Sequence, residues 1–292
     1  MATRLYPNTG SQNMGKNSIK LKIDCKNRIS ENPETKDWLE LVHKFNHKSS
    51  EVKVYRALLE KRKNIVAKIG KNNLDQEYEV GRKLEEIKLP TFIQFSCIFS
   101  CLDNFSKLNT TVKEVCKDEG KPVSIILMPY ISEGRIDKWA WERSNFELMK
   151  NVIKHVFMTL FYAKTKIGFI HRDLHLGNVL LKKTTRNEIS YGEYGTLEVN
   201  GFLPIIMDFD KSVFIEKYDR YFYEDLNNFI SLMSNSCNVK FNSLLFQSIL
   251  LDKIKSDTSI NMEDCVAFCK YIDKLEISYV SSELPQMPVC RN

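Results

Sequence analysis

The sequence predicts an α+β chain in two parts: a small mixed part with an antiparallel sheet and one helix, then a larger, mainly helical part. Three observations carry this. Short runs that alternate apolar with polar residues, or are rich in β-branched ones, crowd the stretch from Glu51 to Ile131. A single helix-period segment, Leu74 to Ile87, interrupts them. Beyond Ser132 the apolar spacing lengthens to that of helices, starting with Phe146 to Ile167.

Residues 1–34 are polar, Asn- and Lys-rich and weakly periodic, and read as a loosely ordered basic extension. Asp37 to Phe45 fits a short amphipathic helix or the approach to a first strand. Glu51 to Ala57 alternates like a half-buried strand, and Asn64 to Ile69 repeats the pattern. In the helix that follows, Val80, Leu84 and Ile87 share one face. Phe92 to Ser100 and Val123 to Ile131 are apolar, β-branched runs and read as strands. The division between the parts falls near Ser132-Glu133-Gly134. In the second part, Leu148, Val152, Val156, Leu160 and Ala163 repeat at helical spacing, and Gly168 stands where a helix ends. Val179 to Lys182 is a short strand, residues up to Gly201 a polar excursion, and Phe202 to Met207 an apolar strand. Helices are expected at about 223–236, 240–253 and 262–275.

The bulk numbers exclude some classes. At 292 residues, 43% hydrophobic and 27% charged, the chain can bury two substantial cores. No apolar run reaches membrane-spanning length, and the first twenty residues hold no secretory apolar region. Eight Cys occur without a Cys-x-x-Cys pair. The four-residue spacings Cys97/Cys101 and Cys265/Cys269 could serve a metal, but reduced, buried thiols of a cytoplasmic protein are the simpler expectation. Residues 1–90 carry 19 Lys and Arg against 12 Asp and Glu. That excess is a weak pointer to an anion, a nucleic acid or an acidic partner, and fits a solvated surface equally.

Four polar positions stand out against this frame. Asp173 lies in a loop between the long helix and a strand, Asn178 follows five residues later, and Asp208 ends the strand that begins at Phe202. Lys68 sits inside a strand among Val66, Ala67 and Ile69. Magnesium-dependent phosphoryl transfer needs these types: Asp and Asn oxygens for the metal, a Lys against phosphate charge, and a separate Asp at the attacking hydroxyl.

In these motifs the chain resembles the protein-kinase superfamily. His171-Arg172-Asp173 with Asn178 fits the catalytic-loop pattern His-Arg-Asp-x-x-x-x-Asn. Val66-Ala67-Lys68-Ile69 is similar to Val-Ala-Ile-Lys, with the Lys one place earlier. Asp208-Phe209-Asp210 matches two positions of Asp-Phe-Gly, and Met128-Pro129-Tyr130-Ile131 is similar to the segment joining the lobes. The resemblance spans roughly residues 45–275 and implies a two-lobed kinase-like fold, with the N-lobe at 35–131 and the C-lobe at 132–292. It further implies ATP and Mg²⁺, with Asp173 at the acceptor hydroxyl and Asn178 and Asp208 on the metal. Lys68 is implied on the phosphates, with Met128 behind the adenine and Tyr130 and Ile131 offering backbone groups to it. Glu77 shares the face of Val80 and Leu84, whereas Glu79 lies opposite, so Glu77 is the expected partner of Lys68.

The chain departs from the pattern in four places. The glycine-rich loop is replaced by His47 to Val54, where Ser49 and Ser50 are the nearest substitutes. Asp210 stands for Gly, as a further ligand or a solvated carboxylate. His175 stands where many serine/threonine kinases have Lys, and when protonated it could hold the transferred phosphate. Only fourteen residues separate Asp210 from Asp225, with no Ala-Pro-Glu between them. These features are similar to the divergent serine/threonine kinases of large cytoplasmic DNA viruses, including poxvirus virion kinases. That likeness implies a virion or host-cytoplasm setting and protein substrates with Ser/Thr acceptors. Asp-Leu-His-x-Gly-Asn is equally like small-molecule kinases of aminoglycoside or choline type, the alternative reading. A third, a silent pseudokinase scaffold, is disfavoured because Lys68, Asp173, Asn178 and Asp208 are all present.

Overall fold

The computed structural model describes residues 38–45, 52–70, 74–101, 110–116, 123–215, 220–236 and 262–274. The extension at 1–34, Ser49 and Ser50, and the helix expected at 240–253 lie outside the described residues.

The first part is a five-stranded antiparallel sheet in the order β1-β2-β3-β5-β4. Its strands are β1 (Leu39–Phe45), β2 (Val52–Leu59), β3 (Lys63–Gly70), β4 (Cys97–Ser100) and β5 (Ser124–Pro129). β3 is central, and its period-two alternation sorts the side chains. Ile65, Ala67 and Ile69 enter one apolar cluster with Trp38, Phe99 and Val112. Val66 and Lys68 face the opposite way, toward helix α1 (Leu74–Glu86), where Val80 and Leu84 are buried. A second helix, α2 (Thr110–Cys116), packs against the far face through Val112.

The second part is built around α3 (Phe146–Ile167), buried along most of its length. Gly168 ends it at φ 71°, with its amide bonded to the Lys164 carbonyl, as a left-handed cap requires. The chain then enters β6 (Phe169–Ile170), the loop carrying Asp173, and β7 (Val179–Lys183). β7 pairs antiparallel with β10 (Phe202–Ile206) in a two-stranded sheet, with Pro204 opposite Leu181. β11 (Val213–Phe214) returns to pair with β6, and helices α4 (Arg220–Asn235) and α5 (Met262–Asp273) follow. Mixed sheet and helices thus follow the expected kinase-like α+β order. Among the described residues no helix is long and apolar enough to cross a membrane.

Three expectations need correction, and one open choice is decided. Residues 39–45, read as helix or the approach to a strand, form a strand, because their backbone pairs with β2 in register from Leu39↔Leu59 to Phe45↔Val54. The strand expected over 92–100 is only Cys97–Ser100. Before it, Ile93 N–H bonds the Ile206 carbonyl and Ile206 N–H the Thr91 carbonyl, both at 2.8 Å, so the segment docks on β10 instead of the sheet. The polar excursion before Gly201 holds a hairpin, β8 (Glu188–Ser190) and β9 (Thr196–Glu198), which buries Ile189, Tyr191 and Leu197. The thiols are not all reduced: Cys101 after β4 and Cys116 on α2 come to a Cα separation of 5.9 Å and form a disulfide. Cys265 and Cys269 on α5 are free and buried, and burial raises both thiols, Cys269 to about 12.

Candidate active site

Burial and charge together build this site. Lys68 points from β3 toward α1, almost fully buried, with Nζ 2.6 Å from Glu77 Oε2 and 2.5 Å from Asp208 Oδ1. Burial alone would lower the pKa of such an ammonium, but the two carboxylates outweigh it and hold the pKa well above the usual range. Glu77 is pushed up by its own burial and by Asp208 and Asp210, while Lys68 opposes the rise. The two carboxylates therefore compete for one cation.

Asp208 follows β10 directly and adopts φ 69°, left-handed for a residue with a Cβ. Such a conformation costs about 1–3 kcal/mol and persists only where the surroundings fix it. Here Phe209 does so: it is fully buried among the rings of Phe92, Phe95, Phe169 and His171. His171 Nε2 donates to the Met207 carbonyl at 3.0 Å, joining the loop to this turn.

The loop of Asp173 is held from below. Asp225 on α4 accepts the amides of Arg172 at 2.7 Å and Leu174 at 3.0 Å, bracketing Asp173. Arg172 also takes a positive φ, 66°, and lays its guanidinium over the Tyr221 ring at 4.6 Å. Asn178 donates Nδ2 to the Asp173 carbonyl at 3.0 Å, which leaves its amide oxygen as the acceptor end. His175 accepts the Gly177 amide on Nδ1 at 3.0 Å and so caps the 3₁₀ turn that leads to Asn178. Met128 is buried on β5 opposite Val66. Tyr130 and Ile131 follow as the chain leaves the sheet, and the Arg56 guanidinium lies over the Tyr130 ring.

One feature of the site was not anticipated, and a second bears on the open reading of Asp210. Lys211 places Nζ 2.9 Å from Asp173 Oδ2. Its only sequence signal is its place directly after Asp208-Phe209-Asp210. Asp210 keeps a buried Oδ1 with no hydrogen-bond partner. The site thus collects four carboxylates, Glu77, Asp173, Asp208 and Asp210, against two ammonium groups, Lys68 and Lys211. A divalent, oxygen-seeking cation fits that surplus and the orphaned Asp210 oxygen. Among the described residues no three His, Cys, Asp or Glu close around a metal by themselves.

The fold is kinase-like, and comparison with known proteins finds similarity to kinase-like proteins over parts of the chain. The ABC1 atypical kinase-like domain matches residues 101–200, a stretch that includes Asp173 and Asn178 and stops short of Asp208. Mouse serine/threonine-protein kinase haspin is 32% identical over 80 residues, 26% of this chain and 11% of its own length. Bovine haspin is 35% identical over 72 residues, 24% of this chain and 9% of its own. A probable serine/threonine-protein kinase of Dictyostelium discoideum is 29% identical over 135 residues, 37% of this chain and 11% of its own. The chain thus spans about a tenth of the length of these relatives. These three are cellular proteins, and they lend nothing to the likeness with viral kinases.

Proposed function

We propose that the protein transfers the γ-phosphoryl group of ATP to Ser/Thr hydroxyls of protein substrates. One observation carries the reading: the Lys68 ammonium lies between Glu77 and Asp208, on a site that also gathers Asp173 and Asn178. The names of the relatives favour a protein acceptor over a small molecule.

In this reading residues 35–131 and 132–292 act as the two lobes. Met128, Tyr130 and Ile131 receive the adenine, and Lys68, oriented by Glu77, meets the α- and β-phosphates. Asn178 and Asp208 would hold Mg²⁺, with Asp210 as a further donor; when bound, the ion neutralises phosphate charge. Asp173 orients the acceptor hydroxyl. That oxygen bonds to the γ-phosphorus as the bond from phosphorus to the β–γ bridging oxygen breaks. The electron pair leaves with ADP, and the hydroxyl proton passes to Asp173 and then to solvent. A cytoplasmic setting belongs to the same proposal.

Incubation with labelled ATP, Mg²⁺ and either casein-like protein or a panel of amino-sugars and choline tests this. Label on Ser/Thr, abolished by Asp173→Asn, is expected. Label on small molecules alone would move the function to that class. No transfer at all by the wild type would leave a scaffold.

A further inference from the structure

Lys211 belongs to a turn that is stitched to the catalytic-type loop. Ser212, buried, donates its amide to the Phe209 carbonyl and its hydroxyl to the His171 carbonyl, each at 3.1 Å. Val213 then pairs with Ile170 across β11 and β6. The backbone of Lys211 is therefore fixed relative to Asp173, and only the side chain is left to move. That side chain is 57% exposed, and an exposed pair of this kind contributes about 0–1 kcal/mol. Lys211 is thus a cation kept beside Asp173 by the fold yet held only weakly by it, and it can turn to a second anion at little cost.

His175, two residues after Asp173, is engaged elsewhere: its Nδ1 accepts the Gly177 amide and caps the turn that leads to Asn178. The ring also lies hard against Gly177, 2.9 Å from where a Cβ would stand. Lys211 is in the opposite situation: its Nζ meets Asp173, and its side chain reaches into solvent.

Resting on the phosphotransfer reading above, we infer that Lys211 is a catalytic residue, the cation that meets the transferred γ-phosphoryl group in the place that His175 does not fill. During transfer its Nζ–H donates to a γ-phosphoryl oxygen while the bond to the bridging oxygen breaks toward ADP. Asp173, released from the pair, takes the proton of the attacking hydroxyl.

The test uses the full chain with Mg²⁺ and either ADP or the non-hydrolysable triphosphate AMP-PNP, titrated calorimetrically, alongside the transfer assay. Lys211→Ala should weaken AMP-PNP about fivefold, the share of one exposed ion pair, and leave ADP unchanged. It should lower kcat about 10²-fold, the loss typical of one donor to developing charge. Lys211→Arg should recover most of both. Because the side chain is mostly in water, the thermal midpoint of each variant should match the wild type. Equal weakening of both nucleotides, an unchanged kcat, or a selective AMP-PNP loss in His175→Ala instead would overturn the assignment. A wild type that transfers phosphate while Lys211→Ala matches it sinks this inference alone. A wild type that neither binds AMP-PNP nor transfers phosphate sinks the phosphotransfer reading, and the role of Lys211 with it.

Discussion

Lowering the pH from 7 to 5 should remove about 2 kcal/mol of stability through one side chain, His155. It lies on α3, fully buried, with Nδ1 2.8 Å from the Tyr191 hydroxyl and Nε2 2.9 Å from the Glu198 carbonyl. A carbonyl only accepts, so Nε2 carries the proton and Nδ1 accepts from Tyr191. A second proton would set a cation in apolar surroundings and an N–H against that hydroxyl. Burial, opposed in part by the Glu198 carbonyl, lowers the pKa from 6.5 to about 4. Between the two values the unfolded chain binds one proton more than the folded one. The contribution is therefore complete above the unfolded value and lost as pH falls, at about 1.4 kcal/mol per unit, until the folded value is passed. The whole window is worth about 3 kcal/mol. Urea unfolding at pH 7, 6 and 5 would be compared between wild type and His155→Gln, which keeps a donor and an acceptor but does not titrate. The stability difference between the two proteins should change by about 2 kcal/mol across that range, in favour of the variant at low pH. Parallel pH profiles would refute the reasoning.

Three further outcomes follow from the site. Asp173→Asn should reduce phosphoryl transfer by about 10²–10⁴ with ADP affinity unaltered, read by steady-state rates and calorimetry. Asp225→Ala strips the acceptor from the Arg172 and Leu174 amides and should cost about 2 kcal/mol in urea denaturation, along with a fall in kcat; full activity would show that the bracket around Asp173 is dispensable. Gly81→Ala drives a Cβ into the Phe95 ring, which stacks on Tyr78 and meets Phe209 edge-on. Overpacking there should destabilise by about 1–3 kcal/mol and weaken nucleotide binding, since Phe209 fixes the turn of Asp208.

The legible parts of the sequence were those written in local periodicity. Helix spacing put Glu77 on the face of Val80 and Leu84, and in the structure its carboxylate does meet Lys68. Gly168 marked the end of α3 because a left-handed cap favours glycine. What escaped depends on contacts distant in the chain. Lys211 reaches Asp173 across 38 positions, and no spacing rule connects a turn residue to a loop in another element. Tyr191 and Leu197 sit in a polar stretch whose few apolar residues are buried by α3, so average polarity hid the hairpin. Cys101 and Cys116 are separated by fifteen positions and become neighbours only once α2 has docked.

The seam between Thr91–Ile93 and Ile206 ties the two described parts of the chain together. Two backbone hydrogen bonds join the segment leading into β4 to the strand that delivers Asp208, and Thr159 on α3 adds a third bond, to the Thr91 hydroxyl. These bonds fasten the approach to β4 onto β10 and α3, so the placement of Asp208 relative to the sheet that carries Lys68 rests on main-chain contacts as well as on their ion pair.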